Sequence, residues 1–132
     1  MTSTTRETIL VIDDSETILE KVRIALTAAG YEVITSTQPL GNARHLTRTD
    51  LVIIDFHMPG IDGGSVLSSL RDAVGNKHTC LFYLYSSDRE IADEYARYGF
   101  DGSITSKGDM ASLVSQVNSV FRLIRIRRLT RK

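Results

Sequence analysis

This sequence has little that could crosslink the fold covalently or attach the protein to a membrane. Cys80 is the single cysteine among 132 residues, so no internal disulfide can form, and a reducing cytoplasm is the expected location. The sequence also has no apolar run of the length of a signal peptide or a membrane span, which favours the same location and predicts no membrane insertion. Since it has no repeat, low-complexity stretch or internal linker either, we expect one folded domain.

A net charge is missing as well. Sixteen basic and sixteen acidic residues cancel, and this balance indicates no particular class of partner. Six of the positive charges fall in the last eleven residues, namely Arg122, Arg125, Arg127, Arg128, Arg131 and Lys132. We expect a domain over residues 1–124 and a basic C-terminal tail over 125–132. Such a tail is commonly solvated, although it could contact an acidic partner or nucleic acid or lead into a linker; for this chain alone we expect no nucleic-acid binding.

Apolar segments and helical patterns alternate along the chain. Five strands are predicted at residues 9–12 (ILVI), 31–34 (YEVI), 51–54 (LVII), 80–85 (CLFYLY) and 103–105 (SIT). Three of these are near-continuous apolar runs, which are typical of strands covered on both faces. Helices are predicted between Ser15 and Gly30, at residues 41–48, 63–73 and 89–98, and from Asp109 to about residue 124.

Five alternations of strand and helix predict an α/β fold. We expect a doubly wound, five-stranded parallel sheet of order 2-1-3-4-5, with right-handed crossovers and helices on both faces. In this order the ligand crevice lies beyond the carboxyl ends of strands 1 and 3, where the winding reverses. The element order thus predicts where a site lies before any motif is considered.

Polar side chains follow the strand ends. Asp13 and Asp14 come after strand 1, Asp55 after strand 3, Ser86 after strand 4 and Lys107 shortly after strand 5. Three neighbouring carboxylates repel one another unless a cation intervenes. Mg²⁺ prefers such oxygen ligands and commonly carries a substrate phosphate. The cluster therefore indicates phosphoryl chemistry, although each aspartate taken alone could be only a turn or helix-cap residue.

The motifs around these residues resemble the receiver domain of two-component response regulators, over essentially the whole chain. They are VIDDSE at residues 11–16, LVIIDFHMPGIDG at 51–63, the Ser86-Ser87 pair and GFDG at 99–102. The block D-x-x-M-P-G-x-D-G is highly specific in this strand context. The resemblance implies a flavodoxin-like, CheY-like (βα)5 fold.

The resemblance also implies a metal site and a phosphoacceptor. Asp55 would take a phosphoryl group from a histidine kinase or a phosphotransfer protein and form an acyl phosphate. Mg²⁺ would be bound directly by Asp14 and Asp55, through water by Asp13, and by the backbone carbonyl of His57.

Two further residues and the output follow from the same resemblance. Ser86 and Lys107 would contact phosphoryl oxygens. The chain would be a signalling switch rather than an enzyme, apart from its own phosphorylation and dephosphorylation, and it would act on a downstream protein that the sequence does not identify. We expect a monomer or a weak homodimer.

The fifth strand departs from the family pattern. Aligned without a gap from GFDG, the family's aromatic residue falls on Ser103 and its lysine on Ser106, so Lys107 stands one residue late. Because side chains alternate along a strand, Lys107 points away from the site unless a bulge or kink re-aims it. We expect it to reach the crevice, and a missing ion pair is the alternative.

Three functions are compatible with these residues. The first is a phosphorylated receiver. The second is a degenerate receiver that acts as a phosphorylation-independent interaction module, as the position of Lys107 and the missing ring at Ser103 suggest. The third is a small metal-dependent phosphatase with Asp55 as nucleophile. For that function the chain lacks a general acid two residues on, where His57 stands, and a cap that covers the substrate.

Without the ring at residue 103, switching would be weak or would use Tyr83, Tyr85 or Tyr98.

Overall fold

A computed structural model describes residues 6–74 and 80–130. Its parallel sheet consists of β1 (Thr8–Ile12), β2 (Glu32–Ser36), β3 (Leu51–Asp55), β4 (Leu81–Tyr85) and β5 (Gly102–Ile104). The spatial order is β2-β1-β3-β4-β5, which confirms the predicted order 2-1-3-4-5. The strand bounds differ from the predicted ones by at most two residues.

The α-helices are α1 (Glu16–Ala28), α2 (Gly63–Val74), α3 (Arg89–Asp93) and α4 (Met110–Thr130). Two predicted helices differ from expectation. The second is a 3₁₀ helix, Ala43–Arg48, and the fourth is divided into α3 and a 3₁₀ turn, Tyr95–Tyr98. Segments of two or three turns are too short for sequence spacing to distinguish a period of 3.0 residues from one of 3.6.

The core lies in two layers, one on each face of the sheet. One layer joins β1 and β3 to α1 and α4, and the other joins the opposite faces of the same strands to α2. Every residue of β1 and β3 is buried, which explains why these strands read as continuous aliphatic runs. The two strands therefore form rigid supports for the residues that follow them.

The expected basic tail is largely helical. Since α4 continues to Thr130, residues 125–130 belong to it, whereas 131–132 lie outside the described residues. Arg125 forms an ion pair with Glu7, and Arg128 forms one with Asp50, in which Nη2 lies 2.6 Å from Oδ1. These contacts attach the end of α4 to the amino-terminal side of the sheet.

Burial raises the pKa of the half-buried Cys80 thiol to about 11, so this cysteine remains protonated near neutral pH.

Within the described part of the chain, none of the helices combines the length and the apolar character needed to cross a bilayer.

Gly63 supplies a test of how tightly α2 packs on the end of β3. A Cβ at Gly63 would lie 2.9 Å from the Phe56 Cα and 3.0 Å from the Asp55 carbonyl oxygen, which are backbone atoms that cannot move independently. We expect Gly63→Ala to lower the free energy of unfolding by about 1–3 kcal/mol, as overpacking typically does, when it is measured by urea denaturation.

The neighbouring glycine is the matched control. A Cβ at Gly64 would first meet the exposed Asp62 Oδ1, at 3.3 Å. This oxygen accepts the Ser65 amide at 2.8 Å, but it is the end of a side chain and can shift by a few tenths of an ångström, unlike the backbone atoms at Gly63. Alanine also has the better helix propensity. Gly64→Ala should therefore leave stability nearly unchanged, and equal losses in the two variants would contradict the close packing of α2 on the end of β3.

Candidate functional site

Three carboxylates meet at the carboxyl ends of β1 and β3. Carboxylate oxygens of Asp13, Asp14 and Asp55 all lie within 4.8 Å of one another. Asp13 and Asp55 are buried, whereas Asp14 is exposed. We call this group the acidic crevice; it has two acids on its floor and one at its rim, at the switch point that the strand order predicts.

The turn after β1 fixes the buried acid of that strand. The amide of Asp13 donates to the Ser36 carbonyl at 3.1 Å, and its Oδ1 accepts the Ser15 amide at 2.9 Å. Ser15 in turn caps α1 by accepting the Ile18 amide at 3.2 Å. A capping residue and a crevice residue are thus parts of one local hydrogen-bonded turn.

Lys107 lies between the two buried carboxylates. Its Nζ is 2.7 Å from Asp13 Oδ2 and 2.7 Å from Asp55 Oδ1. The contact with Asp55 is a hydrogen bond, whereas Asp13 Oδ2 has no hydrogen bond of acceptable geometry among the described residues, despite its proximity to Nζ. The structure therefore contains the ion pair between Lys107 and Asp55, and not the missing ion pair that was considered as the alternative.

A left-handed residue explains how a lysine one position late reaches the crevice. Ser106 has φ +58°, and among the described residues it is the only non-glycine with positive φ. Gly108 follows with φ +99°, and the Asp109 amide donates to the Ser106 carbonyl at 3.0 Å. This tight turn is the local kink that re-aims Lys107. A left-handed serine is a strained conformation that the surrounding structure must maintain.

His57 contacts the site through its backbone amide. The amide donates to Asp55 Oδ1 at 3.3 Å, while the side chain is exposed and its ring meets the Phe56 ring edge-on, with centroids 5.3 Å apart. His57–Met58 pairs antiparallel with Ile61–Asp62. This amide contact was not part of the sequence prediction, which assigned the carbonyl to the metal; that assignment stays a prediction.

Ser86 is buried at the end of β4 and binds the turn that begins α3. Its Oγ accepts the Asp88 amide at 3.0 Å. Beside it a pocket of about 220 Å³ is lined by Ser86, Ser87, Arg89, Thr105, Ser106 and Lys107. Among the described residues, its lining has two cations, Arg89 and Lys107, and no carboxylate, so its chemistry suits an anion. Arg89 was not a sequence candidate, because only the fold brings it beside Lys107.

The charges in the crevice are balanced only in part. Burial raises the pKa of Asp55; the Lys107 hydrogen bond opposes this shift and the charge of Asp13 adds to it. Burial alone would lower the pKa of Lys107, but its ion pairs with Asp13 and Asp55, including the hydrogen bond to Asp55, outweigh burial and raise it. Lys107 is therefore an ammonium at neutral pH.

The residues present fit a hard divalent cation. Three carboxylates and one ammonium leave a net charge of minus two, the donors are all oxygens, and Asp13 Oδ2 is buried without a hydrogen bond among the described residues. Mg²⁺ prefers such a donor set. The acidic crevice could therefore hold a metal ion.

Residues 9–118 match the response regulator receiver domain family. The Mycobacterium tuberculosis transcriptional regulatory protein PrrA is 31% identical over 124 residues, which are 92% of this chain and 52% of that protein. KdpE of the same species, also named a transcriptional regulatory protein, is 43% identical over 65 residues, which are 48% of this chain and 29% of that protein. The chain spans about half the length of the curated relatives it matches.

Solved structures share the fold. The chemotaxis response regulator CheY4 of Vibrio cholerae has a TM-score of 0.73 at 24% identity, with 88% of this chain and 99% of that chain covered. The signal receiver domain of an HD domain-containing protein from Pseudomonas fluorescens has a TM-score of 0.75 at 21% identity, with 98% and 97% covered. At these identities the likeness shows the fold alone.

The raised pKa of Asp55 makes a prediction about stability and pH. A carboxyl whose pKa is higher in the folded state disfavours folding wherever it is ionised in both states, and this cost disappears below the ordinary pKa of 3.8. We expect Asp55→Asn to have a higher free energy of unfolding than the wild type at pH 7, since Lys107 keeps Asp13 as a partner. The difference should shrink as the pH falls towards 3.8.

Urea denaturation at a series of pH values measures this difference. Asp62→Asn is the control for the loss of a carboxylate, because Asp62 is exposed and lies outside the crevice; this variant should not reproduce the gain in stability at pH 7. An Asp55→Asn protein that is less stable than the wild type at pH 7 would contradict the sign of the effect.

Proposed function

Because this chain belongs to the response regulator receiver domain family, we propose that it is the phosphoacceptor switch of a two-component or phosphorelay system. The observation that supports this most is the position of Lys107 Nζ, 2.7 Å from both Asp13 and Asp55. An ammonium at this point can neutralise an incoming phosphoryl group beside the nucleophile. Asp55 accepts the phosphoryl group.

The hydrogen bonds of Asp55 leave one of its oxygens available. Both side-chain hydrogen bonds found for it among the described residues, from His57 and Lys107, fall on Oδ1. Oδ2 therefore attacks phosphorus, the acyl phosphate bond forms, and the bond from phosphorus to the donor nitrogen breaks. The donor is the phosphohistidine of a histidine kinase or of a phosphotransfer protein.

Mg²⁺, when bound, would screen the charge between the carboxylates and the phosphoryl oxygens. Asp14 and Asp55 would bind it directly, Asp13 through water, and His57 through its backbone carbonyl. Lys107 and Ser86 would hold phosphoryl oxygens, Lys107 as a fixed cation and Ser86 as a hydroxyl donor.

Phosphorylation would change the contacts of Ser86. The phosphoryl group adds a charge of about −1.5 to −2 and three strong acceptors. Ser86 Oγ binds the Asp88 amide at 3.0 Å, and Asp88 caps α3. Movement of Ser86 towards a phosphoryl oxygen would loosen that turn, so α3 and β5 form the surface that changes. A downstream protein would read this change.

The second candidate is a receiver that binds partners without phosphorylation. Ser103 favours it, because this half-buried residue of β5 has no ring to link the strand to Ser86. The phosphorylation experiment decides between the two. Cytoplasmic location and a monomeric or weakly dimeric state stay predictions from the sequence.

Phosphorylation by a small donor tests the leading proposal. With Mg²⁺ and acetyl phosphate, the wild-type protein should gain one phosphoryl group, observed as intact mass, and Asp55→Asn should gain none because its amide is not a nucleophile. Asp62→Asn, a carboxylate change outside the crevice, should be phosphorylated like the wild type. No gain in the wild type would favour the interaction module, and rapid hydrolysis of unrelated phosphoesters would favour a phosphatase.

Titration with Mg²⁺ tests the metal site. Isothermal titration calorimetry should give one site in the wild type. The affinity should fall at least about tenfold in Asp14→Asn and in Asp13→Asn, since even outer-shell losses have effects of that size. Glu16→Gln removes an exposed carboxylate at the start of α1 and should leave the affinity unchanged. Equal affinities in all four proteins would exclude the acidic crevice as the metal site.

A further inference from the structure

The turn that carries Lys107 is attached to the protein at both of its ends. On one side, Gln116 of α4 binds the backbone of Thr105 twice, by accepting its amide at 3.0 Å and by donating to its carbonyl at 3.0 Å. On the other side, Asp109 accepts the Ser112 amide at 3.0 Å and starts α4. Between these anchors the backbone passes through the left-handed Ser106, so the direction of Lys107 depends on what holds the middle of the turn.

Tyr85 holds the middle of this turn. Its Oη accepts the Gly108 amide at 3.4 Å, and the Lys107 Nζ lies 5.4 Å from the centre of its ring. Tyr85 is the last residue of β4 and is paired in register with Asp55 on β3. One side chain thus touches the backbone of the turn and lies next to the ammonium, on the strand beside the acceptor carboxylate.

Packing fixes the ring of Tyr85 in this place. The residue is fully buried and belongs to the core layer that also contains Ile104 and Leu113. A phenylalanine would fill the same core space, so packing does not account for the hydroxyl. The hydroxyl has the Gly108 amide as its partner, and a buried hydroxyl without one would be costly.

We propose that Tyr85 is a positioning residue, whose hydroxyl holds the turn at residues 106–108 so that Lys107, displaced by one position, lies between Asp13 and Asp55. This inference rests on the proposed function, in which Lys107 holds a phosphoryl oxygen. Tyr85 touches neither Mg²⁺ nor the phosphoryl group. It acts through Gly108 and Lys107, and it compensates for the extra residue that precedes the lysine.

The test removes the hydroxyl and keeps the ring. Tyr85→Phe should raise the dissociation constant of beryllofluoride, a phosphoryl analogue, in the presence of Mg²⁺ by about three- to tenfold, the range that one hydrogen bond accounts for. Tyr31→Phe is the matched control. Tyr31 is a buried tyrosine of the same core layer, with its hydroxyl on Asn118 at 2.6 Å, and its removal should not change beryllofluoride affinity.

A double-mutant cycle separates positioning from general packing. If Tyr85 acts through Lys107, Tyr85→Phe should have no further effect on beryllofluoride affinity in a Lys107→Met background. The same fold-loss in both backgrounds would overturn the proposal, because the hydroxyl would then act independently of the lysine. An unchanged affinity in the single variant would overturn it as well.

Nuclear magnetic resonance tests the inference without any phosphoryl chemistry. In the wild type the Gly108 amide should exchange with solvent more slowly than in a free peptide, and the Lys107 ammonium should give a distinct signal. Tyr85→Phe should accelerate Gly108 exchange and weaken the ammonium signal, whereas Tyr31→Phe should change neither. Peptide-like exchange of Gly108 in the wild type would overturn the proposal even if Tyr85→Phe did not fold.

These measurements distinguish a failure of the proposed function from a failure of the positioning role. If the wild type neither takes a phosphoryl group nor binds beryllofluoride, the proposed function fails, and the magnetic resonance results still decide whether Tyr85 positions Lys107. If the wild type binds beryllofluoride but Tyr85→Phe changes neither the Gly108 exchange rate nor the Lys107 ammonium signal, the proposed function stands and the positioning role is wrong.

Discussion

An ammonium group held between two buried carboxylates is the interaction on which this crevice depends. Without Lys107, Asp13 and Asp55 would be like charges side by side in a poorly solvated pocket, and their repulsion would be uncompensated. The ammonium offsets this repulsion and opposes the rise that burial causes in the pKa of Asp55. The rest of the structure serves this arrangement, since two fully buried strands fix the carboxylates and a tight turn brings the lysine across to them.

The same arrangement is not optimised for stability. Burial raises the pKa of Asp55, a third carboxylate stands at the rim, and Ser106 is strained. Each of these features disfavours the folded chain, and each is explained if the crevice is built to receive a cation and an anion. A charge imbalance that is costly in the free protein would become a source of binding energy for a divalent ion.

Much of the fold could be predicted from the sequence, because its signals are local. Aliphatic runs at β1 and β3 and the helical period of α1 and α2 depend on near neighbours along the chain. Shorter segments were less predictable: the helix expected at residues 41–48 is a 3₁₀ helix. In the segment expected as a basic tail, Arg125 and Arg128 pair with Glu7 and Asp50. These partners are more than seventy residues away along the chain, so no charge count can identify them.

The sequence alone determined the strands, their order and the convergence of Asp13, Asp14 and Asp55, because hydrophobic period and strand-end position follow directly from residue order. Only the tertiary structure decided that Lys107 reaches them. One left-handed dihedral angle at Ser106 and one buried hydroxyl at Tyr85 re-aim the lysine. Neither feature can be recognised from a repeating pattern in the sequence. A single backbone angle and a single hydroxyl contact are set by the surrounding tertiary contacts, not by the pattern of residues along the chain.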